Sequence, residues 1–471
     1  MIELDNVTFL YNNSTTPVLS GLTLSIKAGE MVLVHGPSGC GKSTLCMLLN
    51  GIIPNLIHGE LTGEIRIGGR PIRGKETRQL ATEVGMVFQN PDNQLFAITV
   101  EEDVAFGPEN LGLSRSEIHR RVDEALCSTG LKSVSSRQIH HLSGGQKQRT
   151  AIAGLCAMKP GILVLDEPTA DLDPGGTRDV IHLLDRLHRE EGKTIVIVEH
   201  KIREILPFVD RVITLDNGRL ASDLPRETTD PTALWPGYPP RSSSRCPLPG
   251  VILDLHDIHY RYPDGTFALA GISLAVRRGE CIAIIGENGS GKTTLSRIIK
   301  GLLEPTKGSV TLYDPVTGFI IPKRSGRIGY LFQNPDHQIV SDRVDREIAI
   351  GLEGFLPEDI KRKTCAALTH VDLLKYKDRD PCSLSRGERQ RLAVASVLVT
   401  EPDVIICDEP TTGQDYDHLL ALMEYLETIR CQGKTIMIIT HDHELAYHYA
   451  DRVITLHMGM YIKEEVCMQC S

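Results

Sequence analysis

Aromatic residues make up only 5% of this 471-residue chain, Trp235 is its single tryptophan, and bases do not outnumber acids: the formal net charge is −10. That balance leaves no basic footprint for nucleic acid and no polybasic membrane anchor. No apolar run approaches the roughly 20 residues a membrane span needs. The opening "MIELDNVTFLY" alternates like a strand and does not read as a signal peptide. Any action at a membrane is therefore expected through a partner, from the cytoplasmic side. The 12 cysteines show no framework spacing, and Cys281 and Cys407 lie inside apolar runs, as reduced cytosolic thiols do. Cys467 and Cys470 form a close pair without a second pair or a His partner, so the tail reads as a frayed terminus.

What the chain does have is a phrase written twice. "FQNPDNQ", from Phe88 to Gln94, returns as "FQNPDHQ", from Phe332 to Gln338. The surrounding landmarks recur in the same order: "HGPSGCGKSTL" and "IGENGSGKTTL", "HLSGGQKQR" and "SLSRGERQR", "ILVLDEPTA" and "VIICDEPTT". A period of roughly 240 residues is too long for a solenoid and describes a duplicated domain. The expected division is a first domain over residues 1–221, a linker over 222–250 and a second domain over 251–471. The linker carries seven prolines and no helical or strand period, as a semi-rigid spacer would. Within each half, short apolar runs alternate with longer helix-like segments, the α/β pattern of a buried parallel sheet wrapped by helices. Residues 96–140 and 339–381 read as helical inserts.

Two stretches fit G-x-x-x-x-G-K-[ST] after an apolar strand. The first is Gly36, Pro37, Ser38, Gly39, Cys40, Gly41, Lys42 and Ser43, followed by Thr44. The second is Gly286, Glu287, Asn288, Gly289, Ser290, Gly291, Lys292 and Thr293, followed by Thr294. Such a loop surrounds phosphate oxygens with backbone N–H groups, and the helix that follows adds its positive end. Lys42 and Lys292 are expected to reach the β- and γ-phosphates of ATP, and Ser43 and Thr293 to offer a hydroxyl to Mg²⁺. "LDEP" and "CDEP" each end an apolar run with two acids. Asp166 and Asp408 are the candidate Mg²⁺ ligands, and Glu167 and Glu409 the candidates for polarising the attacking water.

The order of glycine loop, Gln after a strand, "LSGGQ", "LDEP" and His after a strand resembles the ABC-type ATPases, twice over and across nearly the whole chain. The resemblance implies two tandem P-loop nucleotide-binding domains, each a RecA-like parallel-sheet core with an antiparallel β subdomain and a helical insert. It implies that Tyr11 and Tyr262 stack on adenine, that Gln89 and Gln333 touch Mg²⁺, and that His200 and His441 contact the γ-phosphate. It further implies that Asp173 and Asp415 serve the pairing of the halves. Similar ATPases pair head-to-tail, so that Ser143 and Gly145 of one signature, and Ser385 and Gly387 of the other, cap the opposite ATP.

The second signature carries Arg386 and Glu388 in place of Gly144 and Gln146. If the Gly144 position needs positive φ, Arg386 costs on the order of 1 kcal/mol, and the ATP on Lys292, meeting the intact signature, turns over faster. The stretch from Gln89, "QNPDNQLFAITVEEDVAFGPENLGLS", resembles the ATPases of energy-coupling factor importers, including cobalt and nickel uptake systems. That implies transport of a vitamin or metal ion through a transmembrane coupling subunit and a membrane-embedded substrate-binding subunit. Tandem monosaccharide-importer ATPases and soluble ribosome-associated ATPases remain alternatives.

Overall fold

The computed structural model describes residues 1–12, 14–239, 248–332, 335–410 and 416–467. They fall into two compact units, Met1–Gly237 and Tyr238–Ser471. The first contains β1 (Ile2–Tyr11), β2 (Leu19–Ile26), β3 (Met31–His35), β4 (Gly59–Ile67), β5 (Arg70–Pro71), β6 (Val84–Val87), β7 (Ile162–Asp166), β8 (Thr194–Val198), β9 (Arg211–Asp216) and β10 (Arg219–Pro225). One sheet is antiparallel, in the order β2-β1-β4-β5, and the other runs β10-β9-β3-β8-β7-β6. The second sheet is parallel except for its β10–β9 edge. Every residue of β7 and β8 is buried, which is why these strands read as continuous apolar runs.

The second unit repeats the plan with β11 (Val251–Arg261), β12 (Phe267–Arg277), β13 (Cys281–Ile285), β14 (Lys307–Leu312), β15 (Ile328–Leu331), β16 (Val404–Asp408), β17 (Thr435–Ile439), β18 (Arg452–His457) and β19 (Met460–Val466). Its sheets run β12-β11-β14 and β15-β16-β17-β13-β18-β19. Even an irregularity recurs. β1 switches its buried face between Leu4 and Val7 around Asn6 at φ 49°, and β11 shifts register between Leu255 and Ile258 around Asp257 at φ 49°.

The inserts form helices Val100–Asn110 and Arg115–Ser128 in the first unit and Val344–Ile350 and Pro357–His370 in the second. Thr99 caps the first of these through a capping box with Glu102. Residues 222–239 are more ordered than a bare spacer. β10 runs on to Pro225, a short helix spans Pro231–Leu234, and Leu234 packs against the core around β7 and β8. Tyr238 donates from its hydroxyl to Asp442 Oδ2 at 2.9 Å. Residues 240–247 of the expected linker, and Cys470 of the tail, lie outside the described residues. No helix among the described residues is long and apolar enough to cross a membrane.

Each parallel core is anchored at the foot of its first central strand by an aspartate. Asp210 Oδ2 accepts from the Met31 amide and lies 3.3 Å from His188 Nε2. In the second unit Asp451 accepts from the Cys281 amide, and Arg430 donates to both of its carboxylate oxygens at 2.9 and 2.8 Å. Arg430 also donates to the Gly279 carbonyl and has a side chain only 3% exposed. Arg430→Met therefore removes the guanidinium that faces the buried Asp451 carboxylate. It is expected to destabilise the second unit by about 3–5 kcal/mol, read as a lowered urea midpoint, with the first unit's transition unmoved.

Candidate active site

The loop from Gly36 to Ser43 joins β3 to the helix Lys42–Leu49, and its counterpart joins β13 to the helix Lys292–Lys300. Gly36 has φ 146° and Gly286 φ 155°; a Cβ there would sit 2.1 Å from the Leu215 carbonyl oxygen and 2.3 Å from that of Leu456. No side chain fits, so the loop backbone crosses directly over β9 or β18. Lys42, 6% exposed, donates to the Gly36 and Pro37 carbonyls at 2.7 and 2.9 Å. Lys292 repeats this with Gly286 and Glu287 at 2.6 and 3.0 Å. Each ammonium is thus held inside its own loop, as a site for an anion requires. Cys40 is buried at the base of the first loop, where burial pushes its thiol up. Ser290 takes that place in the second. Tyr11 and Tyr262 each meet Thr44 or Thr294 hydroxyl to hydroxyl at 2.9 Å, beside the loops.

Asp166 ends β7 and Asp408 ends β16, both buried, and one oxygen of each, Oδ1, has no hydrogen-bond partner. Burial, with the neighbouring Glu167 charge, pushes Asp166 up to about 6. Burial raises Asp408 as well. A buried carboxylate with an orphaned oxygen fits a cation, and the Ser43 hydroxyl close by Asp166 offers a second oxygen of the kind Mg²⁺ takes. In the second unit Tyr330 donates to Asp408 Oδ2 at 2.6 Å. Met86 stands at its place in the first.

Glu167 and Glu409 occupy left-handed backbone, at φ 48° and 51°. Such a residue costs about 1–2 kcal/mol, and the strain recurs at one chemically important position in both units. It turns each carboxylate toward a histidine. Glu167 Oε1 is 3.3 Å from His200 Nε2, and Glu409 Oε2 is 2.9 Å from His441 Nδ1. Gln89 Nε2 donates to Glu167 Oε2 at 2.5 Å, so the strand-end glutamine, the glutamate and the histidine converge. Gln333 and Asp415 lie outside the described residues. Asp173 caps the helix Pro174–Arg189 through the Gly176 amide at 2.7 Å.

Ser143 and Ser385 cap the signature helices Gly144–Met158 and Arg386–Leu398. Their hydrogen bonds stay within those helices and do not reach their own phosphate loop. Gly145 lies 3.4 Å, by its missing Cβ, from Gly176 Cα, and Gly387 is buried in the first turn. Gly144 is not among the residues with positive φ. The expected backbone strain at Arg386 therefore falls away, because the position is an ordinary first helical residue. Glu388 also preserves the capping box, accepting from the Ser385 amide at 2.8 Å as Gln146 does from Ser143 at 3.1 Å.

A family model described as ABC transporter matches residues 19–170 and again 269–412. The chain belongs to the ABC transporter ATPase family, as a tandem of two such domains. An ABC transporter ATP-binding protein of Methanosarcina acetivorans is 40% identical over 97% of this chain and 84% of its own. One from Vibrio vulnificus is 34% identical over 97% and 88%. Among solved structures, CbiO1 of Clostridium perfringens, part of the ABC transporter complex CbiONQ, matches 46% of this chain and 89% of its own at 35% identity and a TM-score of 0.42. The tandem is an ABC ATPase: it binds and hydrolyses ATP as part of a transporter.

Three groups at the sites escaped sequence reasoning. Tyr330 and Glu199 carry no motif. Asp92 and Lys147 form an ion pair at 2.6 Å, and Asp336 and Arg389 repeat it at 2.7 Å. The available signal was an acid kept in both copies of "NPD" together with a base kept just after both signatures.

Asp166 yields a prediction of opposite signs for stability and activity. Its folded carboxyl holds a proton up to about pH 6, whereas the unfolded chain releases it near 3.8. The first unit, free of metal and nucleotide, therefore loses stability as pH rises from about 4 through about 6. Asp166→Asn is expected to abolish that slope and raise the melting temperature above pH 6 by a few degrees, while lowering ATP turnover. Differential scanning fluorimetry across pH, beside an ATPase assay, reads both.

Proposed function

We propose that this chain is the energy-coupling ATPase of an importer of the energy-coupling factor type, working on a vitamin or transition-metal ion. It would lie peripherally on the cytoplasmic face of the membrane, against a transmembrane coupling subunit and a membrane-embedded substrate-binding subunit. The observation that carries this reading is an apolar patch immediately after the Gln89 loop. Phe96 and Ile98 are 62% and 67% exposed, and Phe106 joins them with its ring centroid 4.3 Å from that of Phe96. The patch is built to be displayed. Buried Asp103 accepts from the Phe96 and Ala97 amides, both at 3.0 Å, and so wraps the loop outward. In the second unit, buried Glu347 does the same for Val340 and Ser341 at 3.0 and 2.8 Å, displaying Val340, and Ile350 is exposed at the end of the helix that follows. Rings on one unit and aliphatic side chains on the other suit two different stretches of one coupling partner.

In the proposed reaction Lys42 and Lys292 neutralise phosphate charge, and the phosphate-loop amides fix its position. Glu167 and Glu409 hold the attacking water, and His200 and His441 orient those carboxylates and contact the γ-phosphate. Asp166 with Ser43, and Asp408 with Thr293, would hold Mg²⁺, which when bound spreads the developing phosphate charge. The mechanism pairs the halves head-to-tail, so that the ATP on Lys292 meets the intact signature. The ground for unequal sites is now chemical: Glu388 and Arg386 introduce charge where Gln146 and Gly144 have none.

Two outcomes are expected. The tagged chain, pulled down from detergent-solubilised cells, brings a multi-span membrane protein and a small membrane-embedded binder, and Phe96→Asp loses both by at least about tenfold; recovery of ribosomes alone would overturn the importer reading. Separate Glu167→Gln and Glu409→Gln changes lower steady-state ATPase unequally, with the greater loss for Glu409→Gln. Equal losses would refute the asymmetry.

A further inference from the structure

Glu199, one residue ahead of His200, is 2% exposed and has no part in the reaction described above. Its Oε1 accepts from the Thr169 amide at 2.8 Å and the Thr169 hydroxyl at 2.6 Å. Its Oε2 accepts from the His200 amide at 3.1 Å and the Lys201 amide at 3.4 Å. One carboxylate therefore ties the turn just after Glu167 to the turn that carries His200. Lys201 closes the same loop from the other side, donating from Nζ to the Thr169 and Leu172 carbonyls at 2.8 and 2.7 Å.

The second unit has no carboxylate at this position. Thr440 and Asp442 stand where the first has Glu199 and Lys201. Among the described residues, Thr440 Oγ1 accepts from the Asp442 amide at 3.0 Å. The His441 amide donates instead to Glu409 Oε2 at 3.3 Å, the same oxygen that lies 2.9 Å from His441 Nδ1. Glu409 thus holds its own histidine by backbone and ring together. Glu167 meets His200 through the opposite ring nitrogen, Nε2.

We propose that Glu199 is a positioning residue for the ATPase site of the first unit. By accepting the Thr169 and His200 amides it sets Glu167 and His200 side by side, a task that falls on Glu409 itself in the second unit. A buried anion that receives amides from two segments holds them rigidly, because leaving either donor unmade is costly. The proposal rests on reading Glu167 as the group that holds the attacking water, and the experiment separates the two.

Initial ATPase rates of the full chain against ATP concentration decide it, for Glu199→Gln, Glu199→Thr and Glu167→Gln in parallel. Glu199→Gln keeps the shape and one acceptor for Thr169 but turns an NH₂ group onto the His200 and Lys201 amides. It is expected to lose at least half of the kcat that Glu167→Gln loses, with KM for ATP within about twofold, while the unmade amides lower the melting temperature by several degrees but leave the protein folded at the assay temperature. Glu199→Thr, which copies the second unit, is expected to show the same split. If Thr destabilises the fold, Glu199→Gln alone decides. An unchanged kcat in Glu199→Gln, or a KM that rises in step with the fall in kcat, overturns the positioning role. Should Glu167→Gln itself keep the parental rate, the reading of Glu167 is what fails.

Discussion

Two carboxylates side by side at the end of a buried strand repel each other and are starved of water, and both units are arranged around that difficulty. Asp166 and Glu167 share it in one, Asp408 and Glu409 in the other. The left-handed turn at each glutamate separates the pair, sending the aspartate toward the phosphate loop and the glutamate toward the histidine. The strain of that turn is tolerated because the residue's own amide is tied to the neighbouring strand, Glu167 to Val198 and Glu409 to Ile439. What remains is a buried aspartate oxygen with no hydrogen-bond partner among the described residues, costly to bury alone and suited to a cation.

The two units solve the same problem with different side chains, and the differences cluster within one layer. The phosphate-loop lysines and the capping boxes of the two signature helices repeat their hydrogen bonds. The supports behind the acids have drifted. Tyr330 steadies Asp408 where the first unit has Met86, and Glu199 braces His200 where the second has Thr440. Arg430 replaces His188 against the anchoring aspartate. After duplication, groups that must meet ATP are constrained by a shared ligand, whereas the residues behind them need only satisfy a buried charge. Several side chains can do that.

This explains what could be read from the sequence. Phosphate loops, Asp-Glu pairs and signature caps are local patterns, and local patterns carry their geometry with them: Ser143 with Gln146, or Thr99 with Glu102, closes a capping box wherever a helix starts. The inserts were legible from helical spacing for the same reason. Glu199 and Tyr330 were not, since they reach partners some 30 and 78 positions away, and nothing adjacent marks them. The strain at Arg386 was conditional on a positive φ at the Gly144 position, and a motif glycine alone does not reveal its φ: Gly144 sits in ordinary helical backbone. The 222–250 segment lacked periodicity because its elements among the described residues, the end of β10 and two single helical turns, are too short to show any.

The phrase that appears twice, FQNPD-x-Q, can now be taken apart residue by residue. The phenylalanine packs against the core in both units. Asn90 caps the following turn through the Asp92 amide, and Pro91 opens it. The last glutamine fastens the loop to its strand: Gln94 accepts from the Phe88 amide and donates to the Met86 carbonyl, while Gln338 accepts from Phe332 and donates to the signature helix at Ala393 and Ser396. The aspartate spans to that helix as well, to Lys147 or Arg389. An exposed pair of this kind contributes little to stability, about 0–1 kcal/mol, so stability does not account for its presence in both copies. Its placement does. One end sits between the strand-end glutamine and the displayed apolar loop, and the other directly behind the signature. The short turn thereby links the displayed apolar loop to the signature helix, through the ion pair in both units and through Gln338 in the second.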